Sequence, residues 1–295
     1  MIALFSAYEP LFAHVLIDIL FALSQFVVLR AGVFSLASAG IASIGAYAAA
    51  ILAQSHGVPP AVAVVAATVL GTGVGVVLSL PLARVRGIYQ AIATLAFGQI
   101  VISVVLYMEP LTGGALGLNS IPKVVATWHL LVAVVVVVYL LRAMLANSVG
   151  RMFNAARQDE TVALSLGVSV AKYHVLAFAV SGAIAGLGGA LYAFHSYSLV
   201  PGQFGFSMLV AALAAVVLGG RVSIFGPIVG AALLALLPEF GRVFASQRYL
   251  IHGLLLVLVI ILMPHGIVDT IAMRRRKAAL ARAAAPDAPN VQGAR

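Results

Sequence analysis

The chain has no cysteine, so disulfides, thiolate chemistry and cysteine-based metal sites are excluded. It is also poor in charge. Only 8% of its 295 residues are Asp, Glu, Lys or Arg, against about 25% in an average soluble domain. Too little polar surface exists to cover a core, which excludes a water-soluble globule. A disordered chain, polar and charge-rich, is excluded by the same numbers. Nucleotide-loop, zinc-protease, nucleophile-elbow and dinucleotide patterns are all missing. The sequence therefore offers no enzyme active site, no cofactor and no metal site, and any ATP-driven step would need a separate chain. Met1–Pro10 has no basic stretch, so no cleavable signal peptide is expected.

What the sequence does have is apolar length. Hydrophobic residues make up 63% of it, and the mean hydropathy is +1.14. A membrane crossing needs roughly 20 apolar residues. Full spans are expected at 11–29, 33–53, 60–82, 88–107, 128–146, 172–194 and 249–267, with two short segments at 207–220 and 225–238. The expected fold is an all-α, polytopic transmembrane bundle of about nine segments. With nine, the termini lie on opposite sides. Placing the C-terminus inside puts fourteen Lys and Arg in the cytoplasm and leaves Lys123, Arg242 and Arg248 outside. Basic residues collect on the cytoplasmic side, so the N-terminus is expected outside and the C-terminus inside. The net charge of +9 thus reads as a sign of membrane orientation and not of nucleic-acid binding. Two regions follow: a transmembrane domain over 1–273, and a basic, Ala/Pro-rich cytoplasmic tail over 274–295.

Glycine is the first local signal. Gly71 and Gly75, Gly182 and Gly186, and Gly226 and Gly230 each share a helix face. Small faces let helices approach closely in lipid, either for packing alone or to let helices slide along a path. The short pair 207–238 turns at Gly219, Gly220, Gly226 and Pro227. It is either a tight hairpin or a re-entrant element beside a translocation path. The loop 147–171 holds the densest charge outside the tail. Asn147 and Ser148 can cap a short amphipathic helix there, and Gly167 can end it. Such a helix either lies on lipid or docks a cytosolic partner. Asp18 follows His14 by four residues on one face of the first span. An intramembrane carboxylate is costly unless paired or wetted, so the pair is either a structural polar contact or a proton relay. Gln25 and Gln99 are further polar points within spans.

Several stretches, in order, resemble the permease subunits of branched-chain amino-acid ABC importers, the LivM-like half of that family. Gly32-Val-Phe-Ser-Leu36 with Gly45-Ala-Tyr47 is similar to one family stretch, and Arg86-Gly-Ile-Tyr89 through Phe97-Gly98 to another. Thr112-Gly-Gly114, Gly117-Leu118 and Ile121-Pro122 match an outside loop. Gly150-Arg151, Ala156-Arg157, Asp159-Glu160, Ala163 and Leu166-Gly167 match the loop that couples the permease to its ATPase. Ser181-Gly182, Leu218-Gly-Gly220, Gly226-Pro227 and Met263-Pro264 complete the series. Gln99 stands where the family commonly has Glu, and Arg221-Val222 interrupts a G-G-x-G-S run.

The resemblance implies a multi-pass subunit of the bacterial cytoplasmic (inner) membrane, embedded in lipid. Its implied partners are a homologous second permease, two cytosolic ABC ATPases and an external substrate-binding protein. The solute is expected to be a branched-chain amino acid or a relative such as urea, an amide or an aromatic acid. Arg151, Arg157, Asp159, Glu160, Ala163, Leu166 and Gly167 are the coupling candidates. Gly45, Tyr47, Gly98, Gln99, Gly182, Gly186, Gly219, Gly220, Gly226 and Pro227 are the packing or path candidates. The path itself is expected among the spans near 33–53, 88–107 and 172–194. The residues alone leave two alternatives, a proton-coupled secondary transporter using His14 and Asp18, and a passive small-solute channel.

Overall fold

Apolar runs of 20 residues have only one way to satisfy their backbone in lipid, by hydrogen bonding within helices. The computed structural model, described for residues 2–82, 85, 87–240, 266–270 and 273, is accordingly a helical bundle with no strand among those residues. Its long helices are α1 (Ile2–Arg30), α2 (Ser38–Ser55), α3 (Pro60–Leu82) and α4 (Ile88–Tyr107). A short turn α5 (Glu109–Thr112) precedes α6 (Thr127–Ala146). Two small helices, α7 (Ser148–Gln158) and α8 (Glu160–Ser165), lead into α9 (Val170–Ser196), and α10 (Phe206–Gly219) and α11 (Phe225–Phe240) follow. Seven stretches are long and apolar enough to cross a membrane, and α11 contributes a shorter apolar helix. The span expected at 249–267 and the tail 274–295 lie outside the described residues, apart from the few named above.

Helix α9 is the hub, packed against α1, α2 and α3. Its glycines bring backbone against backbone. A methyl group on Gly71 would strike the carbonyl oxygen of Gly182, and one on Gly182 would strike that of Gly71. A methyl on Gly45 of α2 would lie 2.7 Å from the Gly186 Cα. Ser24 of α1 donates to the Ser181 carbonyl at 2.9 Å, fixing the α1–α9 contact with a buried polar bond. By contrast α3, α4 and α6 keep most of their surface outward.

The second span departs from expectation. The expected start is 33, but α2 starts only at Ser38, and residues 31–37 run as irregular chain, buried except at Gly32 and Phe34. Non-helical backbone at this depth must find protein partners. Gln25 Nε2 donates to the Ser35 carbonyl at 2.6 Å, and Ser38 Oγ donates to Gln25 Oε1 at 2.9 Å. The Leu36 N–H donates to Thr94 Oγ1 at 2.8 Å. Gln25, a lone polar point in the sequence, is thus the bracket of this segment. The segment at 207–220 differs too. Pro201–Phe204 winds into a 3-10 turn ahead of α10, so that Pro201–Gly219 forms a 19-residue apolar stretch. A proline opening a helical turn loses no bond, because the first N–H groups are unpaired anyway.

At one end of the bundle, residues 108–126 clasp 197–204. Leu118 and Leu199 exchange backbone hydrogen bonds, and Gln54 Nε2 donates to the Asn119 carbonyl at 2.8 Å. The opposite end carries residues 30–32, the α7–α8 loop and the α10–α11 turn.

Candidate functional site

Three features draw chemistry together, and the first is the α7–α8 loop. One short helix was expected between 147 and 171; the chain forms two. Helix α7 buries Gly150, Phe153 and Ala156, with the Phe153 ring edge-on to Tyr173 of α9 at 6.3 Å. Asp159 then breaks the helix, because its carboxylate accepts from the N–H groups of Thr161 at 2.8 Å and Val162 at 3.1 Å. A side chain bonded this way caps a new helix start. The cap expected from Asn147 does not form through its side chain. Helix α8 ends on Gly167 at φ +81°. The Val168 N–H reaches the Ala163 carbonyl and the Gly167 N–H reaches that of Leu164, both at 3.0 Å. This is the paired closure that needs a left-handed residue, hence glycine. Ala163 is buried with Ala156 and Val170. The other face of α8 is open: Val162 is 53% exposed, Leu164 50% and Leu166 75%. Arg151 and Asp159 are also exposed, whereas Arg157 and Glu160 are half-buried.

The second feature is the α10–α11 turn. The two helices run antiparallel in a glycine-packed hairpin. A methyl on Gly219 would strike the Gly226 carbonyl, and one on Gly230 that of Ala215. Pro227 is buried in the first turn of α11. The turn is held from outside itself. Buried Asp269 accepts from the Val222 N–H at 2.8 Å and the Ser223 N–H at 3.0 Å. Gly220 sits at φ +126°, where a methyl would lie 2.7 Å from the Asp269 carboxylate. Near this latch Arg30 ends α1 with its Nε and Nη1 atoms buried and without partner among the described residues. A methyl on Gly32 would lie 3.1 Å from the Arg157 Cα, so the end of α1 also touches the loop.

The third feature is a cavity of about 700 Å³ between α1, α10 and α11. His14 and Asp18 share its α1 wall with Ile17 and Phe21; Val210 and Leu234 stand opposite. Tyr192 and Phe204 complete its lining. The Phe204 ring meets Tyr192 edge-on at 5.7 Å and Tyr47 at 6.5 Å. Tyr47 is buried, with its hydroxyl 3.5 Å from the Leu199 carbonyl it donates to.

The sequence candidates therefore fall into separate places. Gly45, Gly182 and Gly186 meet at the α2–α3–α9 packing, and Gly98 lies beneath Gly40 of α2. Gln99 points away from all of these, on the outer face of α4 beside Ser103 and Tyr107. Of the three spans expected to line a path, only α9 reaches the cavity, through Tyr192. Asp269, Phe204 and Tyr192 are not among the sequence candidates, and Arg30 enters there only as an orientation charge. With just eight acidic residues in the chain, an Asp beside an apolar run was a signal in its own right.

A bundle of apolar helices long enough to span a membrane, with a capped loop at one end and a partly open cavity, is the architecture of a multi-pass membrane protein. The chain belongs to the family described as branched-chain amino acid transport system, permease component, which it matches over residues 9–264. It is 32% identical over 270 residues to the high-affinity branched-chain amino acid transport system permease protein LivM of Escherichia coli (strain K12), covering 80% of this chain and 64% of that protein. LivM of Salmonella typhimurium gives the same identity and coverage. LivH of E. coli K12 is 30% identical over 123 residues, covering 41% of this chain and 40% of that protein. The chain thus spans 64% of the length of the LivM proteins it matches. No solved structure matches it.

Proposed function

We propose that the chain is a permease subunit of an ATP-driven ABC importer of branched-chain amino acids or a related small solute. The observation that carries this reading is helix α8, a separately capped helix at the bundle end whose open face presents Val162, Leu164 and Leu166. Apolar side chains held out on a rigid helix favour a protein partner. Asp159 at its start and the Gly167 closure at its end make α8 a lever that moves as one piece. In this reading its partners are a homologous permease, two cytosolic ATPases that each receive one coupling helix, and an external binding protein; membership of a permease-component family supports the presence of further subunits. In this reading the membrane is the bacterial cytoplasmic membrane, crossed about nine times, with the N-terminus outside. Residues 108–126 and 197–204 then face the binding protein. ATP binding draws the levers together, and two bistable arrangements of the helix interfaces alternate the open side.

Affinity purification of the tagged chain from native membranes tests the assembly, with a second permease and ATPase expected to co-purify. Gly167→Val tests the lever. A β-branched residue cannot hold φ +81° without strain, so ATP-driven uptake should fall about tenfold or more while the chain still inserts. Uptake that survives both the substitution and ATP depletion would favour a passive channel or a proton-driven carrier instead.

A further inference from the structure

We infer that the α1–α10–α11 cavity is a recognition site for the ammonium group of an apolar amino acid, with Asp18 as its counter-ion. This rests on the importer reading above and names where in this chain the solute is read.

The cavity holds about 700 Å³, within the usual range for small-molecule sites. Its walls are apolar apart from His14, Asp18, Tyr192, Gln203 and Ser207, the common pattern of a mostly apolar site with a few polar groups that fix orientation. Asp18 lies about 14 Å along α1 from Glu9, near mid-span, at 1.5 Å per residue. Carboxylates at that depth face a cavity or a partner. Asp18 faces the cavity, and among the described residues no hydrogen bond or ion pair reaches it. No Lys or Arg lines the space. The group on that lining able to carry positive charge is His14, one turn along α1, so among the described residues the carboxylate is left accessible to a mobile cation. An ammonium with a branched apolar tail satisfies both parts of the cavity: charge at Asp18, and hydrocarbon against Ile17, Phe21, Val210 and Leu234. Tyr192 and Phe204, packed edge-on against each other, complete the lining. Ammonium-to-carboxylate bonds are among the stronger ones available, and a low-dielectric wall strengthens them further.

The test uses the whole assembly, permease pair with ATPases, in lipid nanodiscs without binding protein. Equilibrium binding of radiolabelled leucine is measured against two competitors, 3-methylbutylamine and 4-methylpentanoate. The amine should compete and the acid should not. Asp18→Asn should weaken leucine binding at least tenfold, and Asp18→Glu should recover part of it. Equal binding by Asp18→Asn, competition by the acid alone, or no leucine binding to the unaltered assembly overturns the inference. So does loss of subunit assembly in Asp18→Asn, because the carboxylate then holds a cation of the protein. ATP-driven leucine uptake with binding protein, measured in parallel on the unaltered assembly, separates the two claims. If uptake occurs while the binding results fail, only the inference falls. If uptake ignores ATP and follows a proton gradient, the importer reading falls and Asp18 is a proton site.

Discussion

The two flanks of α1 are packed in opposite ways. Toward α9 it is tightly packed, with Gly188 against the Leu20 and Phe21 side chains and a buried hydrogen bond between Ser24 and Ser181; beyond, between α9 and both α2 and α3, carbonyl oxygens stand where side chains would normally be. Toward α10 and α11 the same helix leaves about 700 Å³ open and places His14 and Asp18 in it. In water the apolar effect would collapse such a space. In lipid it does not act between helices, and association depends on close van der Waals fit. A membrane bundle can therefore keep a rigid flank and an open one side by side, provided small residues are spent on the first. The glycine stripes of α3 and α9 are what make one flank stiff enough for the other to stay open.

The sharpest way to break that contrast is on the stiff flank. Gly182→Leu puts a side chain against the Gly71 carbonyl, and backbone cannot swing aside as a flexible side chain can. Overpacking of this kind costs about 1–3 kcal/mol, occasionally more, and here the upper end is expected. The folded, monodisperse yield in detergent should collapse. Gly73→Leu on the same α3 is the control, since a methyl there meets nothing within 4 Å; its yield should stay near normal.

A middle effect is expected where the open flank is anchored. Asp269 accepts two backbone N–H groups from the α10–α11 turn, and hydrogen bonds to a charged group contribute about 1.5–3 kcal/mol. Asp269→Ala should lower the apparent melting temperature in detergent clearly, but by less than Gly182→Leu. A larger drop would mean that the turn, and not the α3–α9 contact, is the stiffest point of the bundle.

These two cases also mark how far the sequence could be read. Helix α4 at Ile88–Tyr107 and α3 at Pro60–Leu82 are where the apolar runs put them, because in lipid hydrophobic length and helix length are one constraint. The family is legible from ordered motifs. The start of α2 was misplaced because Val33 and Leu36 are as apolar as any span residue; what keeps 31–37 out of helix is a set of side-chain bonds from Gln25 and Thr94, which no local pattern carries. The α7–α8 break turned on Asp159 acting as a cap where it read as loop charge. His14 and Asp18 were visible as a pair, yet their cavity was not, since its opposite wall comes from residues almost two hundred positions later. Asp269 and Gly220 are likewise joined only by the fold.

The smallest effect on stability should come from the open flank itself, and there it is the most informative. Ala211 stands on the cavity wall of α10 with its side chain toward free space. Ala211→Phe adds a ring where no backbone must move, and surface-like changes of this kind usually fall within about 0.5 kcal/mol. Folded yield and melting temperature should match the unaltered chain. Solute uptake should not, because the ring occupies the space between Val210, Phe21 and Asp18. Normal folding with lost transport makes the cavity a working volume that close packing elsewhere preserves. Normal folding with normal transport places the path elsewhere, and the open flank is then a packing defect that lipid or a neighbouring subunit fills.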